Sequence, residues 1–184
     1  MNPALELTSV PAWAVRPSTP SCDPTATACT AVAVGPDAVD VATTWLAEAV
    51  APGRLHAVAA TDEALAVVDA ELAGARVGWR LLVAGPLTAV LPLRARALAG
   101  GLLDAELAVA TTTTDDLLVA CAHCAAVTSA TTRVGGVVPC AGCERRLVVH
   151  HHVSRRQGAF LGYQVDAEQC EQGQWEQGQW EEDA

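Results

Sequence analysis

The sequence predicts an α/β fold in which a small parallel sheet is followed by a compact four-cysteine module. Three observations carry this. Between residues 27 and 118, apolar runs of strand length alternate with runs of helix length, the order that builds a parallel sheet with helices on both faces. Hydrophobic residues make up 51% of the 184-residue chain, enough for a sizeable core; with only 4% aromatic residues, Ala, Val and Leu must build it. Beyond residue 118 the alternation stops, and two Cys-x-x-Cys pairs follow, Cys121/Cys124 and Cys140/Cys143.

The elements read in order as follows. Residues 1–26 are rich in Pro, Ser and Thr and have no periodicity, so they form an extended arm, with Trp13 packing it onto the body or onto a partner. Residues 28–35 are a buried strand ending at Gly35-Pro36-Asp37, and Asp37 is the expected N-cap of a helix running through Ala51. That helix carries Trp45, Leu46 and Val50, and Pro52-Gly53 ends it. Residues 55–60 form a second strand, and Thr61 or Asp62 opens a helix to about Gly74. A third strand covers 77–86. A helix covers 87–101 despite Pro92 and closes at Gly100-Gly101; a fourth strand covers 105–113. Asp115-Asp116 turns the chain into a strand that delivers the first cysteine pair. The expected organisation is an arm (1–26), an α/β domain (27–118), a four-cysteine domain (119–168) and a disordered acidic tail (169–184) ending in the QGQWE repeat with Trp175 and Trp180.

Charge bounds the partners. The net charge is −10, and all 11 basic residues are arginine. From Asp166 onward there are seven acidic residues and no basic ones, so the tail carries most of the imbalance. Arg145, Arg146, Arg155 and Arg156 make the one arginine cluster. The lack of lysine and the acidic tail count against a nucleic-acid partner, which needs a basic face. No apolar run is long enough to span a bilayer, and the N-terminus has no signal-peptide pattern, so the expected setting is the cytoplasm, where thiols stay reduced. Cys22, Cys29 and Cys170 lack a Cys-x-x-Cys partner and read as free thiols.

A dinucleotide site needs a glycine-rich turn that lets backbone N–H groups reach a phosphate at a helix N-terminus. After the first strand this chain has Val34-Gly35-Pro36-Asp37: one glycine, a proline without an N–H, and an acid that repels phosphate. Ala84-Gly85-Pro86 resembles the Cys-Gly-Pro element of ferredoxin reductase nucleotide domains, with Ala in place of Cys. The resemblance implies a degenerate ferredoxin-reductase-like nucleotide domain that has lost its site.

Fifteen residues separate the two cysteine pairs, the spacing of a two-knuckle, tetrahedral four-thiolate site of zinc-ribbon type. The expected ligands are Cys121, Cys124, Cys140 and Cys143, holding one structural zinc ion. Four thiolates bring a local charge of about −2, which Arg145 and Arg146 are placed to offset. Iron in a rubredoxin-like site, or a [2Fe-2S] cluster, takes the same ligands. Rubredoxin-like knuckles put glycine directly after the second cysteine; Ala125 and Glu144 stand there, which lowers the iron reading. His123, His150, His151 and His152 are candidate ligands that a closed four-cysteine site does not need.

The second dense stretch is HHHVSRRQGAFLGY, residues 150–163, which holds the chain's one Phe and one Tyr. Two rings and two guanidiniums within nine residues match the composition of interface anchors. His152, Ser154, Arg155, Arg156, Phe160 and Tyr163 are therefore expected to form a contact surface; the bland alternative is that both rings are core and both arginines solvated.

CAHC, PCAGC, RRLVV, HHHVSRRQGAFLGY and VDAE together resemble the DmmA-like family, the small accessory subunits of bacterial dimethylamine monooxygenase. That family is similar to accessory subunits of heme-dependent oxidative N-demethylases. The resemblance covers Cys121 to Glu168. It implies a multi-subunit, NAD(P)H- and O2-dependent enzyme that oxidises a secondary methylamine to a primary amine and formaldehyde. It further implies heme on a catalytic partner subunit, and FMN and [2Fe-2S] on a reductase partner. No residues of this chain suggest a heme pocket, a flavin site or a complete nucleotide turn, so the implied role is a metal-bearing accessory subunit without catalytic residues of its own. Two other readings stay open: a freestanding zinc-ribbon module that binds protein or nucleic acid, and an iron-binding electron carrier.

Overall fold

The computed structural model describes residues 8–165. Cys170, Glu168, Trp175, Trp180 and the expected acidic tail lie outside the described residues. The first half is β1 (Ala28–Val34), α1 (Pro36–Glu48), β2 (Gly53–Val58), α2 (Thr61–Gly74), β3 (Trp79–Gly85), α3 (Leu87–Ala99) and β4 (Leu107–Thr111). Its four strands are all parallel in the order β2-β1-β3-β4. Strand side chains alternate between faces, and the two faces are apolar in different ways. Ala31, Ala33, Leu82, Ala84 and Ala110 pack with Ala38, Ala42 and Trp45 of α1. Val32, Val34, Leu81, Val83 and Val109 pack with α2 and α3 on the other side. The expected parallel sheet with helices on both faces is what forms.

Boundaries differ from the sequence pattern in two informative places. The N-cap of α1 is Gly35, at φ +85°, and not Asp37; Pro36 occupies the first turn, where its missing N–H costs nothing. α1 stops at Glu48, three residues before Ala51, and Gly53 opens β2 instead of ending the helix. Gly53 pairs with Cys29 at the start of the parallel ladder, and a Cβ there would sit 2.6 Å from Leu46 Cδ2. Any larger residue would have to displace that leucine methyl.

The second half is β5 (Asp116–Cys121), β6 (Val127–Thr131), β7 (Val137–Pro139), β8 (Arg146–Ser154) and β9 (Ala159–Gln164). They form one sheet in the order β6-β5-β9-β8-β7, with β5 and β9 parallel and the other pairs antiparallel. The four-cysteine module is therefore a five-stranded sheet that carries the cysteine knuckles at one end. The sequence pattern marks β5 as a strand but marks neither β8 nor β9.

The helix α3 joins the two sheets. It is buried on nearly every side: Leu87, Val90, Leu91, Leu93 and Ala97 are all at most 1% exposed. One core cluster runs from these residues into Leu117, Val119, Val149, Val153 and Phe160 of the second sheet. Gly158 makes the contact possible. Its φ is +60°, and a Cβ there would lie 2.7 Å from the Leu91 carbonyl oxygen and 2.8 Å from Pro92 Cα. Pro92, which breaks the hydrogen-bond ladder of α3, thus lies on the face where the β8–β9 turn docks.

The N-terminal arm is tied down. Ala12–Ala14 form a short 3-10 turn, Val10 and Ala14 are buried, and Ser18 bridges Thr111 in antiparallel fashion. The Thr111 hydroxyl donates to the Trp13 carbonyl at 2.8 Å. Of the two anchors considered for Trp13, the body is one: the Arg94 guanidinium lies 5.7 Å from the centre of its ring.

Candidate metal centre and arginine cleft

β5 delivers Cys121 at its last residue, and β7 ends one residue before Cys140, so two strand ends bring the knuckles together. The knuckles fold alike. In the first, Cys121 N–H donates to the Ala126 carbonyl at 2.9 Å and Ala125 N–H to the Cys121 carbonyl at 3.0 Å. In the second, Cys140 N–H donates to the Arg145 carbonyl at 2.9 Å and Glu144 N–H to the Cys140 carbonyl at 3.0 Å. The residue after each second cysteine adopts the left-handed conformation: φ is +61° at Ala125 and +60° at Glu144. This is the conformation that glycine serves in such knuckles. It is present here without glycine, so the missing glycines do not weigh against iron. Gly142 lets the knuckles approach, since a Cβ there would lie 2.7 Å from Ala126 Cβ and 3.1 Å from Cys124 Sγ.

The four sulfurs converge. Cys121 Sγ lies 3.8 Å from Cys143 Sγ and Cys124 Sγ lies 3.5 Å from Cys140 Sγ, with all four within 4.8 Å of one another. A tetrahedron with metal–sulfur bonds of about 2.3 Å has edges of about 3.8 Å, so the cluster fits one ion. The distances are far from the roughly 2.05 Å of a disulfide. Cys121 and Cys140 are buried, Cys143 is half-buried and Cys124 is exposed. Among the described residues these are the one cluster of His, Cys, Asp and Glu ligand atoms that could hold a metal; His123, His150, His151 and His152 are not part of it.

The site favours thiolate unevenly. The N–H groups of Cys143 and Gly142 point at Cys140 and lower its thiol to about 6, helped by the neighbouring thiols and opposed by burial. The Ala126 N–H favours the Cys124 thiolate, but the bond shared with Cys140, burial and the other two cysteines outweigh it and push that thiol up to about 12. Cys140 is thus favoured as a thiolate, and a metal must displace the proton held by Cys124. Arg145 serves the site with its main-chain N–H, which faces Cys143; its guanidinium donates to Gln164 Oε1 at 2.6 Å.

The second motif divides. Phe160 does not lie on a contact surface, as its motif suggests; it is fully buried, packed in the core cluster that joins α3 to the second sheet. Its side chain is core because β9 runs between β5 and β8, the middle of the sheet. Tyr163 is half-buried and meets the ring of His150 edge-on, with centroids 5.4 Å apart. Between Val149 and Val153 the pairing of β8 with β9 slips, so the histidine run forms an irregularity in the strand. His152 there reaches the arm, with Nδ1 2.6 Å from Ser9 Oγ. Arg155 and Arg156 are exposed.

Ser9, His152, Ser154, Arg155 and Arg156 line a cleft of about 400 Å³ together with Arg94 of α3. Arg94 is buried, and Asp104 clamps it through Oδ1 at 2.6 Å while holding Arg155 through Oδ2 at 3.0 Å. Sequence reasoning missed both Arg94 and Asp104. The signal was available: Arg94 follows Leu87, Val90 and Leu91 at helical spacing, so it lies on the buried stripe and requires a partner. A second polar network was also missed. The Trp79 indole N–H donates to Thr30 Oγ1, the Thr30 hydroxyl donates to Glu71, and Arg54 and His56 meet the same carboxylate. It borders a cleft of about 480 Å³ that includes Thr27, Ala28 and Trp79, around the opening residues of β1 and β3.

At the carboxyl ends of β1 and β3, two backbone donors are already used. Gly35 N–H donates to the Val58 carbonyl and Leu87 N–H to the Thr113 carbonyl. Asp37 stands in the first turn of α1.

Residues 118–163 match the family described as dimethylamine monooxygenase subunit DmmA-like, C-terminal domain. This stretch contains all four cysteines and the arginine motif, so the similarity to the DmmA-like family falls on the residues that carried the sequence resemblance. The chain is also 41% identical over 107 residues to the heme-dependent oxidative N-demethylase delta subunit of Ectopseudomonas mendocina (strain ymp). That alignment covers 58% of this chain and 60% of the relative, so the chain spans under two thirds of the relative it matches. No solved structure matches. Among the described residues, no helix is long and apolar enough to cross a membrane.

Proposed function

We propose that this chain is a metal-binding accessory subunit of a multi-subunit, NAD(P)H- and O2-dependent dimethylamine monooxygenase. The complex takes a secondary methylamine, O2, NAD(P)H and a proton to a primary amine, formaldehyde, water and NAD(P)+. Its heme sits on a catalytic partner, and its FMN and [2Fe-2S] cluster sit on a reductase partner. The observation that carries the reading is the position of the family match, which coincides with the module holding the four thiolates and the arginine motif of the cleft. The name of the 41% identical relative, a delta subunit, supports an accessory role in such a complex.

In this reading Cys121, Cys124, Cys140 and Cys143 hold one structural zinc ion in a zinc-ribbon-like module. The first half is a degenerate nucleotide domain of ferredoxin-reductase type. The occupied N–H groups of Gly35 and Leu87, and Asp37 in the first turn of α1, support the loss of its phosphate turn. His152, Ser154, Arg155, Arg156 and Tyr163 form the face that meets the heme-bearing subunit. The complex works in the cytoplasm, where the thiols stay reduced.

Co-expression with the heme and reductase subunits tests the reading. Arg155→Ala with Arg156→Ala should leave folding and metal content intact, weaken co-purification and lower demethylation through lost assembly. Normal assembly with full activity would show that the arginine face is no interface. The left-handed Ala125 and Glu144 remove the objection to a second reading: iron at the same thiolates, as in a one-electron carrier. Visible absorption separates the two, since a zinc protein is colourless.

A further inference from the structure

We infer that the cleft between α3, the end of β8 and the N-terminal arm binds the phosphate group of a small molecule. The inference concerns this chain alone and does not rest on the complex proposed above.

Charge supports it first. Three guanidiniums, Arg94, Arg155 and Arg156, line the cleft, and the one carboxylate holding them, Asp104, is divided between Arg94 and Arg155. Arg156 has no ion pair among the described residues. The cleft therefore carries more positive than negative charge, in a chain whose net charge is −10. A surplus of about two charges matches a phosphate monoester better than a single carboxylate.

The donors are also held in place. Arg94 is buried, fixed by the 2.6 Å bond to Asp104 and placed over the Trp13 ring. A guanidinium carries five N–H donors, so one bond to Asp104 leaves most of the fork for a ligand. Ser154 Oγ accepts the Gln157 N–H at 3.2 Å, which leaves the hydroxyl proton to donate. His152 uses Nδ1 on Ser9 and keeps Nε2 as a second polar atom. Charged and hydroxyl donors converging on a concavity of about 400 Å³ suit a small ligand better than a flat protein surface.

The test is calorimetric titration of the full chain with inorganic pyrophosphate at low ionic strength, with a short polyglutamate peptide as the parallel probe. Pyrophosphate should bind saturably at one site per chain. Arg156→Ala should weaken it about tenfold, the scale of one charge-assisted contact, while the unfolding curve stays that of the parent. Arg155→Ala should weaken it as well, which separates the cleft from adventitious binding elsewhere. Absence of saturation at millimolar pyrophosphate overturns the inference. So does undiminished binding by both variants, or binding of the peptide alone, which makes the cleft a seat for acidic protein. The demethylase-subunit reading is tested separately, by co-purification, and binding of the peptide alone would favour the partner face proposed there.

Discussion

Gly158→Ala probes the joint between the two sheets. The residue sits at φ +60°, so any Cβ carries the left-handed cost, about 1 kcal/mol for alanine relative to glycine. A Cβ would also lie 2.7 Å from the Leu91 carbonyl oxygen and 2.8 Å from Pro92 Cα, and both are helix backbone. Contacts this short are relieved only by moving the β8–β9 turn off α3. That movement loosens a layer containing Leu91, Val153 and Phe160. Overpacking of this kind adds about 1–3 kcal/mol, for a total of about 3 kcal/mol. Gly135→Ala is the matched control: its φ is +82° and nothing lies within 4 Å of its Cβ position, so it should show only the conformational cost. The difference of about 2 kcal/mol corresponds to about 4–8 °C in Tm for a chain of this size. Thermal unfolding followed by circular dichroism should show Gly158→Ala melting that far below Gly135→Ala. If the two variants melt together, the turn does not dock on α3 as described.

Glu144→Gly should stabilise the second knuckle by about 0.5–1 kcal/mol, because it removes the left-handed cost at φ +60°, and metal loss to a competing chelator should slow. Glu71 is partly buried, which opposes its ionisation, but Thr30, Arg54 and His56 outweigh burial and hold its carboxyl below the ordinary 4.5. A depressed carboxyl adds stability that is complete above the ordinary value and lost as pH falls through the folded-state value. Glu71→Gln should therefore destabilise at neutral pH and flatten the acid side of the stability profile; an unchanged acid limb contradicts the assignment. With the arginine cleft removed by Arg155→Ala and Arg156→Ala, titration with NADH should show no saturable binding at micromolar concentration, since at the α1 turn Gly35 N–H is engaged by Val58, Pro36 has none and Asp37 repels phosphate.

The sheet-forming half was legible because parallel strands buried on both faces are apolar runs, and α2 and α3 keep close to their expected limits. The end of α1 was not, because Pro-Gly reads as a helix stop while Gly53 is in fact the first residue of β2, paired with Cys29 in the fold. The clustering of the four cysteines was legible from spacing alone. The second sheet was hidden: β7 is three residues long, and β8 carries a polar histidine run through an irregularity that breaks the two-residue alternation. Phe160 was misplaced for the same reason, since its mid-sheet position follows only once β8 and β9 are recognised as strands. The arginine cleft needed Arg94 and Asp104, which lie in the other half of the chain and meet Arg155 only in the fold.

The central claim is that four cysteines hold one metal ion, and elemental analysis of the purified protein tests it most directly. One equivalent of zinc per chain is expected, falling to near zero in Cys140→Ser, the variant that removes the thiol lowered to about 6. Less zinc at acid pH should accompany it, as protons compete for the ligands. A metal-free protein, or zinc retained in full by Cys140→Ser, contradicts the site; one equivalent of iron with visible absorption keeps the ligands and overturns the zinc assignment.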